Sequence, residues 1–172
     1  MKRAIYIFLI CILNLALYIL PFSRMRVIIL KIYGAKIGSS TYIGRGVRVD
    51  FPWRIFIGNN CFISNSVYFD CRGGSIVVMS NTDISESAVI YTLSHDINSE
   101  NFCPKKGNVT IGSRVWICTR AILLPGSKIE DGTVLGANSV SKGLLSGNSL
   151  YSGIPAIYVR SLKPNRAIAV RK

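Results

Sequence analysis

The feature that most constrains the fold is a six-residue period over residues 109–141. A bulky aliphatic residue recurs at every sixth position: Ile111, Ile117, Leu123, Ile129 and Leu135. Two residues before each one stands a small or β-branched residue: Val109, Val115, Ala121, Ser127 and Thr133. A helix repeats every 3.6 residues and a strand every two, so neither explains this period. A β-solenoid does, because each unit forms one flat face and one corner, and stacked coils bury the aliphatic residues.

The same period extends upstream in three sets of three repeats. The expected interior positions are Ile37, Ile43, Val49, Ile57, Ile63, Phe69, Val78, Ile84 and Ile90. The step is six residues within a set, but eight, nine and finally twenty-one residues between sets. Three repeats therefore make one turn of a three-sided prism, and the insertions fall at one edge. The largest insertion, after Ile90, contains the only histidine, His95.

These patterns predict one all-β domain, a parallel β-helix, with an apolar helix before it and a short tail after it. The expected segments are a hydrophobic helical segment at 1–33, the solenoid at 34–155 and a basic tail at 156–172. A loop at 95–108 is inserted into the solenoid. Beyond Ser141 the six-residue register is expected to be lost over 142–147, and one more strand-like piece follows at 148–152.

Two readings of the apolar N-terminal segment remain open. Residues 1–22 are interrupted by Asn14 and closed by Pro21, and they are just long enough to span a bilayer. The alternative is a helix packed on the end of the solenoid or in a subunit interface. Residues 23–33 read as a second helix, ending near Gly34, that can lie on a membrane surface. Positive charges flank the apolar run on both sides, so they do not set an orientation.

Composition limits the classes of partner. The net charge is +13, from 21 Lys and Arg against 8 Asp and Glu, which favours an anionic partner such as nucleotide phosphates or an anionic membrane. The chain has no nucleic-acid-binding motif, so we expect no nucleic-acid partner. Five cysteines without a C-x-x-C pair indicate a reducing compartment rather than a disulfide framework. One histidine excludes a metal site built from several histidines, and no metal is expected.

His95 is the candidate catalytic base. A histidine at the mouth of a surface loop can accept a proton near neutral pH. The alternative is an ordinary solvated histidine. A base of this kind needs an orienting acid or carbonyl group. Asp96 is adjacent but would face away in a strand, and the sequence does not choose between Asp70 and Asp83.

Trp116 is the second candidate site residue. Alternate side chains of a strand face opposite sides, and both neighbours of Trp116 occupy interior positions. Its indole is therefore expected to point outward. An exposed tryptophan on a solenoid face is either an interface residue or a platform for a ligand.

Several stretches resemble a known family. I-G-S-R-V-W-I, L-L-P-G-S-K-I, L-G-A-N-S-V and S-G-I-P-A resemble the left-handed β-helix acyltransferases built from hexapeptide repeats. Y-T-L-S-H-D, a loop, and then V-T-I-G-S-R-V-W-I are similar to the sugar O-acetyltransferase branch. That branch includes the galactoside, maltose, colanic-acid and O-antigen acetyltransferases. The resemblance covers residues 34–160.

The resemblance implies a homotrimer with active sites between neighbouring prisms and acetyl-CoA lying along the groove. His95 matches the family's general base, which takes a proton from a sugar hydroxyl without forming an acyl-enzyme. The acceptor side is expected to include Asn65, Asp70, Asp96 and Trp116. The acetyl-CoA side is expected to include Trp116, Ala137, Ser141, Lys142, Gly153, Pro155, Arg160 and Lys163.

The chain also departs from the family pattern. Cys118 stands where many members have glycine, and Thr119 replaces a common serine or alanine. Ile157 replaces a basic residue, which would shift phosphate binding to Arg160, Lys163 or Arg166.

The expected function is acetyl-CoA-dependent O-acetylation of a bacterial surface-polysaccharide precursor. Acetyl-CoA is cytosolic, so the expected location is the cytoplasmic side of the membrane. The apolar segment 1–33 indicates membrane association and a sugar or lipid-linked oligosaccharide acceptor. Two alternatives remain: acetylation of an amino sugar or serine by the same fold, and a non-enzymatic solenoid.

Overall fold

The computed structural model describes residues 2–164, which form a left-handed parallel β-helix of about six coils behind two helices. Residues 165–172, the last eight of the predicted basic tail and including Arg166, lie outside the described residues. The helices are α1 (Lys2–Ile19) and α2 (Ser23–Ile32). A short 3₁₀ turn, Pro52–Arg54, lies between the first two coils.

Twenty strands follow the helices. Coils one to three contain β1 (Lys36–Ile37), β2 (Tyr42–Ile43), β3 (Arg48–Asp50), β4 (Ile55–Ile57), β5 (Phe62–Ile63), β6 (Tyr68–Asp70), β7 (Ile76–Val78), β8 (Asp83–Ile84) and β9 (Val89–Tyr91). The insertion contains β10 (Leu93–His95) and β11 (Pro104–Lys106). Coils four to six contain β12 (Val109–Ile111), β13 (Trp116–Ile117), β14 (Ile122–Leu123), β15 (Lys128–Ile129), β16 (Val134–Leu135), β17 (Val140–Ser141), β18 (Leu144–Leu145) and β19 (Ser149–Ser152), and β20 (Ile157–Ser161) comes last.

The strands stack into the three faces that the period predicts. Face 1 consists of β1, β4, β7, β12, β15 and β18. Face 2 consists of β2, β5, β8, β13, β16 and β19, with β20 added antiparallel at its end. Face 3 consists of β3, β6, β9, β14 and β17. Within each face the coils pair in parallel, and equivalent rung residues such as Ile63 and Ile84 are register partners.

The core is the stack of rung side chains inside the prism. The predicted interior residues are all buried, from Ile37 in the first coil to Leu135 in the fifth. The residue two positions earlier is buried as well, except for the half-buried Thr41, and Cys61, Thr82 and Ser127 fill such positions. This regular burial confirms the phase of the six-residue period, and it leaves the alternate side chains on the outer surface.

The six-residue register is lost after Ser141, as predicted, but the coil continues through a strand that was not predicted. β18 pairs with β15, and Leu145 is buried opposite Ile129, so the solenoid continues into a sixth coil. The step from Ser141 to Leu145 is only four residues. The period was hidden because the chain takes a shorter corner here and because the preceding rung is a serine rather than an aliphatic residue.

The helices close the open end of the first coil. Ile10, Leu13 and Leu17 of α1 are buried against the core. The Asn14 amide donates to the Val49 carbonyl oxygen at 3.2 Å, and its oxygen accepts the Val49 N–H at 2.9 Å. The Asn14 side chain therefore satisfies the backbone groups at the edge of β3, as a neighbouring strand would. The prediction of a helix packed on the end of the solenoid is confirmed.

α2 caps the edge of the neighbouring strand, β2, in the same way. The Ser23 hydroxyl accepts the Ile43 N–H at 2.8 Å, and Arg26 Nε donates to the Ile43 carbonyl oxygen at 2.9 Å. Arg26 is buried and also donates to the Leu20 carbonyl oxygen. Burial lowers the pKa of the Arg26 guanidinium from its usual value. Among residues 2–164, no helix is both long and apolar enough to cross a membrane.

Candidate active site

His95 lies on a hairpin rather than on an irregular loop. β10 and β11 pair antiparallel, and His95 is the register partner of Pro104. The hairpin leaves the prism after β9 and returns before β12, so it projects from the corner between face 3 and face 1. The side chain of His95 is exposed, and it makes no hydrogen bond with any described residue. The imidazole is therefore open to an incoming hydroxyl.

The base of the hairpin is fixed by Thr92. Its hydroxyl donates to the Asp70 carbonyl oxygen at 2.6 Å and accepts the N–H groups of Gly73 and Gly74, each at 3.0 Å. A Cβ at Gly73 would stand 2.1 Å from the Thr92 carbonyl oxygen, so only glycine permits this approach. The sequence predicts the insertion but not this anchor, because the bonding residues are about twenty positions apart.

The three candidate acids do not orient His95 within the described chain. The Asp96 carboxylate accepts the Asn98 N–H at 3.0 Å. The buried Asp70 carboxylate accepts two hydrogen bonds from the Arg72 guanidinium, both at 2.9 Å. Asp83 lies on face 2 as the register partner of Trp116, away from the hairpin. The interaction with Asp70 raises the pKa of Arg72 above its usual range.

Trp116 points outward, as predicted, with about half of its side chain exposed. Its Nε1 donates to the Ser85 hydroxyl oxygen at 2.9 Å, which fixes the indole on face 2. Cys118 follows on the same side of the chain and is partly buried. Burial, with a smaller effect of the Asp83 carboxylate, raises the pKa of the Cys118 thiol to about 11. This thiol stays protonated at neutral pH, so it is a poor nucleophile.

Several predicted ligand residues form one column, which runs along the corner between faces 2 and 3. The Ser87 N–H donates to the Asn65 carbonyl oxygen at 3.1 Å, and the Asn138 N–H donates to the Thr119 carbonyl oxygen at 3.0 Å. The Val140 N–H in turn donates to the Gly153 carbonyl oxygen at 3.0 Å. We call this column the Trp116 corner and define it by Asn65, Ser85, Trp116, Ala137 and Gly153. Ala137 and Gly153 are exposed on it.

The His95 hairpin and the Trp116 corner stand on different edges of the same prism. Face 3 separates them, because the hairpin leaves where face 3 meets face 1 and the Trp116 corner lies where face 2 meets face 3. Asp70, Asp96 and Lys142 belong to the hairpin edge. A single chain therefore does not bring the candidate base to the candidate acetyl-CoA wall.

The predicted phosphate-binding residues differ in their placement. Lys142, Arg160 and Lys163 are exposed, with Arg160 on β20 opposite Leu150. Ser141 is fully buried as an interior rung, and its hydroxyl donates to Ser127 Oγ at 3.3 Å. The Ser141 side chain therefore faces the core and not a groove.

A polar and aromatic cluster that was not predicted from the sequence lies on face 3 beside α1. The Tyr68 hydroxyl donates to Asp50 Oδ2 at 2.6 Å, and the Arg48 guanidinium lies 4.7 Å from the centre of the Tyr68 ring. Burial and the Asp50 carboxylate raise the pKa of Tyr68. The sequence signal for this cluster is a spacing of twenty residues between polar positions on neighbouring coils. Arg48 is the register partner of Tyr68, and Asp50 is that of Asp70.

Metal ligands are not clustered anywhere in residues 2–164: no group of three or more His, Cys, Asp and Glu side chains is placed to hold an ion.

Comparison with known proteins identifies the class. No protein-family model matches the chain. The chain is 32% identical over 137 residues to a protein of Escherichia coli K12 named as the colanic acid biosynthesis acetyltransferase WcaF, covering 80% of this chain and 75% of that protein. The chain therefore belongs to the hexapeptide-repeat acetyltransferases.

Solved structures have the same fold. A hexapeptide-repeat acetyltransferase from Vibrio cholerae superposes with a TM-score of 0.85 at 23% identity, over 95% of this chain and 94% of that one. The same Vibrio protein has also been solved with acetyl-CoA. A maltose O-acetyltransferase from Clostridium difficile 630 gives a TM-score of 0.78 at 24% identity, over 90% and 84% of the two chains.

Proposed function

We propose that this chain transfers the acetyl group of acetyl-CoA to a hydroxyl of a sugar in a bacterial surface-polysaccharide precursor. Its membership of the hexapeptide-repeat acetyltransferases supports the reaction class. The name of the WcaF relative supports a polysaccharide acceptor, and the acetyl-CoA complex of the Vibrio neighbour supports the donor. Family membership disfavours the alternative of a non-enzymatic solenoid.

The observation that carries the proposal is the exposed imidazole of His95 on an anchored hairpin. In the proposed reaction the imidazole takes the proton of the sugar hydroxyl while that oxygen attacks the thioester carbonyl. The bond between the carbonyl carbon and sulfur then breaks, and CoA leaves as the thiol after receiving the proton from the imidazolium. A base that works near neutral pH suits both proton transfers.

Acetyl-CoA is proposed to lie along the Trp116 corner. Trp116 would contact the acetyl and pantetheine end, and the exposed backbone at Ala137 would bond the pantetheine amides. Gly153 and Pro155 would adjoin the adenine, while Arg160 and Lys163 would supply positive charge for the phosphates. Lys142 belongs to the hairpin edge, so it would reach the phosphates only from a neighbouring prism. Adjacent coils are about 4.8 Å apart, so the corner is long enough for an extended ligand.

A homotrimer would complete this site. The hairpin and the Trp116 corner occupy different edges of one prism, so the base must meet acetyl-CoA from a neighbouring prism. A ring of three prisms can place each hairpin against the next Trp116 corner and close on itself. Asn65 and Asp96 are proposed to contact the acceptor, and Asp70 would act indirectly, by holding Arg72.

The proposed location is the cytoplasmic face of the bacterial membrane. Acetyl-CoA is a cytosolic donor, and a lipid-linked oligosaccharide would be presented at that surface. The proposed membrane association through residues 1–33 is consistent with the many exposed apolar side chains of the two helices.

Replacing the proposed base tests the function. Purified His95→Ala protein should lose acetyl transfer to an oligosaccharide acceptor by about 10²- to 10⁴-fold in kcat. Asn101→Ala, on the same hairpin, is the matched control and should keep its activity. Thermal stabilisation by CoA should persist in both variants, because the base does not hold the nucleotide. Undiminished transfer by the His95→Ala protein would exclude the mechanism.

Acceptor screening separates the remaining alternative. Amino sugars and serine should be poor acceptors compared with a polysaccharide repeat unit when acetyl-CoA is saturating. Faster transfer to an amine would show that the enzyme is an N-acetyltransferase.

A further inference from the structure

The outer side of α1 is apolar, although it packs against no other part of residues 2–164. Five residues spaced three and four apart form a stripe opposite the packed residues: Ile5, Phe8, Ile12, Leu15 and Ile19. Each is between 41% and 64% exposed. The packed side already closes the first coil, so the stripe is not needed for the core.

α2, which packs against α1, also has exposed apolar side chains. Met25, Ile28 and Ile32 face away from the solenoid, and Ile32 is 75% exposed. Phe22, between the helices, is 68% exposed. We call this surface the N-terminal apolar face and define it by the five α1 residues with Phe22, Met25, Ile28 and Ile32. Nine exposed large apolar side chains on two helices that contact each other indicate an interaction surface rather than ordinary exposure.

The charged residues of the two helices, and of the chain up to residue 49, are all positive. Residues 1–49 contain no Asp or Glu, and the first acid in the chain is Asp50. The same stretch has eight basic residues: Lys2, Arg3, Arg24, Arg26, Lys31, Lys36, Arg45 and Arg48. Arg24 and Lys31 are exposed on α2 beside the apolar stripe. This pairing of an apolar face with exposed cations complements an anionic lipid surface.

From these observations we infer that the N-terminal apolar face docks in the plane of an anionic membrane. α1 and α2 would lie within the headgroup region, with the apolar stripes toward the acyl chains and Arg24 and Lys31 at the lipid phosphates. The solenoid would then project into the water. This inference deepens the proposed function, because it specifies how the enzyme would reach a lipid-linked acceptor. The docking itself does not depend on acetyl transfer.

Vesicle flotation of the full-length protein tests the docking. The vesicles are phosphatidylcholine alone, or phosphatidylcholine and phosphatidylglycerol in equal parts. The protein should float with the anionic vesicles and much less with the neutral ones, and added salt should weaken binding. The double variant Phe8→Gln and Leu15→Gln should bind at least about tenfold less.

The matched control is Leu144→Gln with Val159→Gln, which removes two exposed apolar side chains at the far end of the solenoid. It should float like the unaltered protein. Circular dichroism and thermal unfolding should show that both double variants are folded.

Three results would overturn the docking: failure of the unaltered protein to bind anionic vesicles, equal binding to neutral vesicles, or normal flotation of the Phe8 and Leu15 variant. Loss of flotation together with a changed oligomeric state of that variant in vesicle-free solution would assign the face to a subunit interface instead. The His95→Ala protein separates the two proposals, because it should float normally. Flotation without sugar acetylation would refute only the proposed function.

Discussion

The Trp116 indole donates a 2.9 Å hydrogen bond to the Ser85 hydroxyl across two adjacent coils of face 2. The two residues are 31 positions apart, because the chain that connects them includes the His95 hairpin. The bond holds an exposed tryptophan in one orientation. A ligand that packs on the indole therefore meets a preorganised surface.

Ser85→Ala should weaken acetyl-CoA binding without affecting the chemical step. Removal of the hydroxyl frees the indole, so KM for acetyl-CoA should rise several-fold while kcat changes little. Steady-state kinetics at varied acetyl-CoA concentration measures KM and kcat separately. Ser64→Ala, at the equivalent position one coil away, is the control and should leave KM unchanged. A fall in kcat alone would contradict a role in positioning Trp116.

Asn14→Ala should destabilise the protein by about 2–4 kcal/mol, because it leaves the N–H and carbonyl of Val49 without their partner at a buried edge. Urea unfolding measures the free energy. Leu15→Ala changes the next residue of α1, whose side chain is 58% exposed, and should cost less than about 0.5 kcal/mol in the absence of membranes. Equal losses for the two variants would show that Asn14 does not cap the coil.

Arg26→Lys should also be destabilising, despite keeping the charge. The planar guanidinium bonds two carbonyl groups, on Leu20 and Ile43, in a geometry that an ammonium cannot match. The expected loss is about 1–3 kcal/mol in the free energy of unfolding. Arg24→Lys, at an exposed position two residues earlier, is the matched control and should be neutral.

Stability should fall at alkaline pH. Burial, followed by the nearby Asp70 and Asp50 carboxylates, raises the pKa of the Cys71 thiol to about 12 from its usual 9.0. A raised pKa in the folded state gives stability that is complete below pH 9.0 and is lost as the pH rises towards 12. The free energy of unfolding should decrease by up to about 1.4 kcal/mol per pH unit above the usual value for this thiol.

Urea unfolding over a pH series from neutral to alkaline tests this loss. Cys71→Ala should decline less steeply than the unaltered protein, because one titrating group is gone. Parallel declines in the two proteins would mean that Cys71 does not contribute to the pH dependence.

Most of the fold follows from the period, because each aliphatic rung stacks on its equivalent in the next coil. The pairing of Ile63 with Ile84, for example, can be predicted by counting residues along the six-residue period. The coil at Leu145 was missed because a polar rung and a four-residue step hide the same packing. A helix on the end of the solenoid could be predicted, but its hydrogen bonds could not, since those between Asn14 and Val49 join residues 35 positions apart and leave no local pattern.

The candidate site residues could be selected from the residue pattern, but their placement on the prism could not. His95 and Trp116 could be selected because one opens the largest insertion and the other alternates with interior residues. Their placement on different edges depends on which face each strand joins. The cluster of Arg48, Tyr68 and Asp50 was not identified, because a polar column is visible only after the coils are aligned.

The cap formed by α1 and α2 also limits assembly along the axis of the prism. Without it, the first coil would present unpaired N–H and carbonyl groups of β2 and β3 above an apolar interior, which is a template for another solenoid end. At the opposite end, β20 runs antiparallel on β19 and interrupts the parallel stacking. A chain cut before Ala35 should therefore polymerise end to end into fibres. The length of the prism is thus set by its two ends, since the repeat itself has no intrinsic stop.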